Sequence, residues 1–123
     1  MTWTASKGIP IFRSFDERLA RRFYVDYLGF SWDGEHRFDA AAPLYAFLSL
    51  GDFTLHLSEH YGDCTPGATA IVPMSGIQDY LEKMRARGHP NANPAVETLP
   101  WGQQIQVSDP FGNRLRFLQE SGS

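Results

Sequence analysis

Apolar and polar residues alternate with period two through several stretches of the chain, and recur at helical spacing in two others. The clearest stretch is Leu99 to Glu120. Ile105 and Val107 alternate with Gln104, Gln106 and Ser108, and Leu115 and Phe117 alternate with Arg114 and Arg116, the pattern of two half-buried strands. Asp109, Pro110, Gly112 and Asn113 lie between them and supply the restricted φ, the left-handed-tolerant position and the side-chain-to-backbone bonds of a turn. One face of this hairpin packs on a core, while the other carries amides and a guanidinium.

A second hairpin precedes it. Leu44–Leu50 and Phe53–Ser58 flank the two-residue turn Gly51-Asp52. Closing that turn pairs Leu50 with Phe53, Leu48 with Leu55 and Ala46 with Leu57 on an apolar face. The opposite face then pairs Ser49 with Thr54, Phe47 with His56 and Tyr45 with Ser58.

Ile9–Arg13 and Thr69–Val72 read as short strands, and Phe30 begins another. Ser14 and Glu17 have capping-box spacing, so a helix is expected from there to Gly29, its stripe made by Leu19, Ala20, Phe23, Tyr24, Tyr27 and Leu28. Ile77, Tyr80, Leu81 and Met84 mark a second helix, stopped by Gly88. Trp32 to Pro43 reads as a charged loop, His60 to Pro66 as a linker, and Asn91, Asn93 and Pro94 as an interruption before the last strands. Residues 1 to 8 read as a lead-in.

Residues 9 to 60 and 69 to 120 thus spell the same string: strand, helix ending in glycine, strand, hairpin. A slide of about 60 residues lays Leu55-His56-Leu57 on Leu115-Arg116-Phe117. The expected fold is α+β, two βαβββ modules in one domain, with helices outside and polar strand faces lining a curled mixed sheet.

Ile9-Pro10-Ile11, Phe23-Tyr24, Leu28-Gly29-Phe30, Trp101-Gly102, Asp109-Pro110-x-Gly112-Asn113 and Leu115-x-Phe117 together resemble the bleomycin-resistance-like proteins of the glyoxalase, or vicinal oxygen chelate, superfamily. The resemblance implies paired modules curled around a cavity, association as homodimers, and sequestration of a cationic, aromatic-tailed glycopeptide in crevices at the dimer interface. In the metal-dependent enzymes of that superfamily the ligands come from equivalent inner-face positions. Carried over by motif, those fall at Ile9, His56, Thr69 and Arg116. Only His56 is a good ligand, and Arg116 would set a fixed cation beside a divalent ion. No metal and no other cofactor is therefore expected.

His56-Leu57-Ser58-Glu59-His60 spells H-x-x-E-H, a zinc-protease pattern on a helix. Here it starts within a strand, where four residues span about 13 Å, so joint chelation is not expected.

With 123 residues the chain buries a core without staples. The lone Cys64 cannot form an internal bridge, and no predicted helix terminus or basic neighbour activates it, so it reads as an inert thiol. No signal peptide or membrane span is recognisable, and a cytoplasmic location is the expectation. Net charge is −3, unevenly placed: Asp26 to Asp63 holds seven carboxylates against Arg37 alone. That middle favours cationic partners. The basic clusters at Arg18, Arg21, Arg22 and at Lys83, Arg85, Arg87 read as solvated helix faces, with no nucleic-acid motif beside them.

The reading that follows is a non-enzymatic small-molecule binding protein of the bleomycin-sequestering kind. Trp32, Tyr45, Phe47, His56, Trp101, Gly102, Gln104, Gln106 and Arg116 are expected to contact ligand, and none to be catalytic. The alternative is a lyase or dioxygenase of the same superfamily with an atypical metal site around His56.

Overall fold

A computed structural model describes residues 2–90 and 92–121; Asn91, part of the expected interruption, lies outside them. Element order is β1 (Ile11–Arg13), α1 (Glu17–Ala20) continuing as a π-helical segment (Arg21–Tyr27), β2 (Ser31–His36), β3 (Tyr45–Leu50), β4 (Phe53–Ser58), β5 (Thr69–Pro73), α2 (Ile77–Arg87), β6 (Glu97–Leu99), β7 (Gly102–Ser108) and β8 (Arg114–Glu120). The strands form two four-stranded sheets, ordered β1-β4-β3-β2 and β5-β8-β7-β6. Each is mixed: β1 runs parallel to β4 and β5 parallel to β8, the other pairs being antiparallel.

The register repeats as the sequence does. Ile11 faces His56 in the first sheet and Ile71 faces Arg116 in the second. The β3–β4 hairpin has the pairing that the alternation predicts, from Tyr45↔Ser58 to Leu50↔Phe53, with Gly51 at φ 57° turning the chain.

Two local expectations are corrected. Ser14 does not cap the first helix: its amide continues the β1–β4 ladder by donating to the Ser58 carbonyl, 2.9 Å. The chain therefore turns two residues later, where the Asp16 carboxylate accepts from the Leu19 amide. The supposed loop from Trp32 begins as strand β2, bulged between Trp32 and Gly34. An edge strand needs only its neighbour's backbone, so its polar sequence, SWDGEH, hides how far the strand expected from Phe30 runs.

Both modules bury their apolar faces in one shared core. Phe12, Leu48 and Leu55 from the first sheet, Val72, Ile105 and Phe117 from the second, and Phe23, Tyr24, Tyr27, Leu81 and Met84 from the helical segments belong to one cluster. Polar bonds tie the halves together across it. Tyr80 donates to the Leu28 carbonyl (2.7 Å), Tyr24 to the Asp109 carboxylate (2.6 Å) and Asn113 Nδ2 to the Arg13 carbonyl (2.7 Å). Side chains alternate across a sheet, so the other face of each sheet points away from this core.

Candidate functional site

The open face of the first sheet is built by one row of strand partners. Ile11, His56, Phe47 and Gly34 face one another in turn across β1, β4, β3 and β2. Gly34 lies beside that ring, where a Cβ would sit 3.4 Å from Phe47 Cδ2, close to ordinary van der Waals contact. Tyr45, Phe47 and His56 form a triangle of rings with centroids 5.0 to 5.5 Å apart. The Tyr45 hydroxyl and His56 Nδ1 are hydrogen-bonded at 2.9 Å. Burial lowers the His56 pKa, so the imidazole is neutral near pH 7 and presents Nε2 as its remaining polar edge.

The linker after β4 completes this corner. The Asp63 carboxylate accepts from Ser58 Oγ (2.5 Å), and its charge adds to burial in raising the Tyr45 pKa. The His60 ring packs against Tyr45 as well, centroids 6.4 Å apart. Burial is also the main cause that pushes the Cys64 thiol up, which suppresses its thiolate, in keeping with an unreactive cysteine. Ile11 was not among the sequence-predicted site residues, and Asp63 was read only as part of the acidic stretch that favours cationic partners. The 60-residue repeat could have found Ile11 as the strand partner of His56.

The second sheet presents the corresponding row Ile71, Arg116, Gln106. Arg116 Nε donates to Gln106 Oε1 at 2.9 Å, and Gln104 is two residues along β7 on the same face. Ile11 and Ile71 are 38% and 53% exposed on these faces, whereas their core-facing neighbours Phe12 and Val72 are 1% and 3% exposed.

Three of the predicted residues are held differently. Trp32 is covered by the Arg21 guanidinium, 4.1 Å from the ring centroid. Its indole N–H and Arg21 both donate to Glu35. That ring face is therefore already stacked. Trp101 lies in the β6–β7 turn, 59% exposed, its carbonyl accepting from the Ser121 amide. Gly102 is buried, and a Cβ there would come 2.3 Å from the Gln119 carbonyl oxygen. The space beside it is taken by the neighbouring strand's backbone rather than left to a ligand.

Among the described residues, Tyr45, Phe47 and His56 are joined by ring contacts and Gln106 with Arg116 by a hydrogen bond, while no ring contact or side-chain hydrogen bond links the two groups. A cleft of about 1150 Å³ between the modules, along Ile9, Pro10, Thr54, Ile71 and Met74, contains none of the predicted site residues.

The donor set does not suit the divalent metal of the family's enzymes. Arg116 occupies in the second sheet the place of His56 in the first, and the strand partners of both are isoleucines. No group of three or more His, Cys, Asp or Glu side chains placed to hold a metal occurs among the described residues. In the H-x-x-E-H stretch, the Glu59 carboxylate accepts from the Leu44 amide. No helix of the described residues is long and apolar enough to cross a membrane.

Two mixed sheets, each carrying its helix, related by an internal repeat and joined through one core, define the paired-βαβββ class. The family profile described as "Glyoxalase superfamily protein" matches residues 3–123; the chain belongs to the glyoxalase superfamily. Among solved structures it is similar to the bleomycin-binding protein from bleomycin-producing Streptomyces verticillus complexed with copper(II)-bleomycin, with 26% identity, 98% of this chain and 100% of that one covered, and a TM-score of 0.70. TnmS3, an antibiotic-binding protein from Streptomyces sp. CB03234, shares 23% identity over 97% of this chain and 100% of its own, with a TM-score of 0.71. A putative glyoxalase family protein from Bacillus anthracis shares 16% identity over 98% and 99%, with a TM-score of 0.69. No curated protein matches the chain.

Proposed function

We propose that this protein is a non-enzymatic binder that sequesters a cationic small molecule with a flat aromatic part, of the bleomycin class, in crevices completed by a second copy of the chain. The observation that carries the reading is the ring triangle of Tyr45, Phe47 and His56 on an outward sheet face, with the Asp63 carboxylate at its corner. Stacked aromatic edges suit a planar ligand, and a neutral imidazole beside a carboxylate favours a cation. Arg116 and Gln106 on the second face, with Gln104 beside them, supply donors and acceptors for sugar and amide groups. Because the two faces turn away from one shared core, a partner chain is the natural means of bringing a first face opposite a second. Trp101, exposed at a hairpin tip, is the anchor that such a crevice would bury. The similarity to bleomycin-binding proteins supports the same assignment.

The test is calorimetric titration of bleomycin into the wild type, Trp101→Ala and Phe47→Ala at two salt concentrations. Wild-type protein is expected to bind, more weakly at high salt as Asp63 and the other carboxylates of the Asp26–Asp63 stretch are screened. Loss of a stacking ring is expected to weaken binding roughly tenfold, a loss of about 0.5 to 1.5 kcal/mol in ring geometry plus the lost area. No heat with the wild type removes bleomycin as the ligand. Elemental analysis of untagged protein is the companion measurement: stoichiometric transition metal that disappears in His56→Ala would replace this reading with a metalloenzyme.

A further inference from the structure

The cleft between the modules, about 1150 Å³, contains neither the ring triangle nor Trp101. Two of its walls come from edge strands, since β1 and β5 each end their sheet. The ladders fix which way the peptide groups of these strands point. His56 donates its amide to the Pro10 carbonyl and Ser14 donates its amide to the Ser58 carbonyl. Pro10, Phe12 and Ser14 therefore face β4, while Ile9, Ile11 and Arg13 turn their N–H and C=O groups the opposite way. In the second sheet the Arg114 amide donates to the Ala68 carbonyl and the Met74 amide to that of Leu118. By the same alternation Thr69, Ile71 and Pro73 turn away from β8.

The outward side of β1 faces the second module, because the Arg13 carbonyl accepts from Asn113 Nδ2 there. Beyond that bond the two edges part. Among the described residues, no strand, backbone group or side chain bonds the outward peptide groups of Ile9, Ile11, Thr69 or Ile71, and the side chains of Ile9, Ile11 and Ile71 are exposed. Phe53 and Met74 add apolar lining. Lys7 and Asp52 border the cleft, neither with an ion-pair partner among the described residues; Lys7 continues the row of Ile9 and Ile11.

Donors and acceptors that repeat every second residue on two facing walls are matched by another extended chain. An alkyl chain or a ring system there would leave them desolvated and unpaired, which buried peptide groups rarely are. A four-residue strand needs roughly 600 Å³, from its rise, strand spacing and sheet depth, so the cleft has room for one. We infer that it takes a short extended peptide ending in a free carboxylate, the backbone bonded to the outward edges of β1 and β5 and the carboxylate on the Lys7 ammonium. None of the residues proposed above to contact bleomycin lines this cleft, so the two readings succeed or fail separately.

The probe is acetyl-Thr-Val-Thr-Val with a free carboxyl terminus, which alternates an apolar face with a polar one and has high strand propensity. Titrated into the isotope-labelled full chain, it should give saturable shifts of the Ile9, Ile11 and Ile71 amide signals and slow their hydrogen exchange. Ile71→Pro removes an outward N–H without removing a ladder bond, a position where edge strands tolerate proline, and should weaken the peptide roughly tenfold, the worth of one hydrogen bond at the strong end of its range. Ile71→Val keeps that N–H and should bind as wild type does. If Ile71→Pro does not fold, amidation of the peptide and Lys7→Gln carry the test, each expected to weaken binding about tenfold by removing one charge-assisted contact. Sodium octanoate, with a carboxylate and an apolar chain but no peptide groups, should bind more weakly than the peptide by a similar factor. The inference is overturned by the absence of saturable shifts at those amides, by equal affinity for octanoate, by a folded Ile71→Pro that binds as wild type does, or by indifference to both amidation and Lys7→Gln. It is also overturned if the outward amides are already protected from exchange in the free protein, which would give the edges to a second copy of the chain.

Discussion

Removing the Tyr24 hydroxyl should destabilise the whole chain, because that group joins the first module's helix to the turn that closes the second module's hairpin. Asp109 is 8% exposed, and its carboxylate organises the DPFGN turn. Oδ1 accepts from the amides of Phe111 (2.9 Å) and Asn113 (2.8 Å), while Oδ2 accepts from Asn113 Nδ2 (2.8 Å) and from Tyr24 (2.6 Å) across 85 residues of sequence. Burial outweighs these donors and raises the Asp109 pKa; each donor lost makes the buried carboxylate costlier still. Tyr24→Phe keeps the ring packed against Phe23 and Phe30, so the expected loss is that of one hydrogen bond to a charged group, about 1.5 to 3 kcal/mol. Asp109→Ala strands four donors and should cost about 4 kcal/mol or more at roughly 1 kcal/mol each, a large share of a small domain's stability. Urea unfolding at pH 7 reads both. With a slope of about 1 to 3 kcal/mol per molar, Tyr24→Phe moves the midpoint down by about 1 M, and the double variant should show a coupling of similar size between the two positions. A single transition in the wild type and both variants is also expected, since the bond spans a shared core. Additive effects of the two substitutions, or a Tyr24→Phe midpoint within error of wild type, would refute the argument.

Alkaline pH supplies an independent check on the same contact. Burial raises the Tyr24 pKa well above its ordinary value, with the Asp109 charge adding to the shift, and burial raises that of Tyr80 too. A raised phenol stays protonated in the fold while the unfolded chain ionises near pH 10, so stability is whole below that pH and falls above it, by up to about 1.4 kcal/mol per pH unit for each such tyrosine; a pH series of urea midpoints that stays flat from 9 to 11 would contradict this. Gly102→Ala places a Cβ against the Gln119 carbonyl and must shift the β7–β8 backbone. A loss of about 1 to 3 kcal/mol is expected, as for other overpacked positions, and thermal unfolding would expose the error if the variant were as stable as wild type. Sedimentation should give a species near twice 13.9 kDa at micromolar concentration; a monomer throughout would remove the two-chain crevice.

Much of the backbone was legible because hairpin register is a local property. Once Gly51-Asp52 closes a two-residue turn, every pair from Leu50↔Phe53 to Tyr45↔Ser58 follows by counting, and the 60-residue repeat carries the same arrangement to Ile71 and Arg116. The helix start was misread for a reason outside that logic. Ser14 and Glu17 satisfy a capping pattern, but Ser14 is claimed by β4. The strand expected from Phe30 was cut short at Trp32 because edge pairing of β2 with β3 asks nothing of its side chains.

The candidate site divides along the same line. Which side chains share a strand face is set by period-two alternation, so Tyr45, Phe47 and His56 on one face, and Gln104, Gln106 and Arg116 on another, are properties of the sequence by itself. Whether a face is free is not, since that depends on residues distant in the chain. Arg21 reaches over Trp32 from the helix, Gln119 fills the space at Gly102, and Asp63 returns from the linker to Tyr45. The tertiary structure also decided that both sheets turn their apolar sides to one core, leaving the two polar faces directed outward. Hydrophobic burial is non-directional and takes whichever partner covers the most apolar area, so alternation along the chain determines what each sheet must bury, and only the packing of one module on the other determines against what.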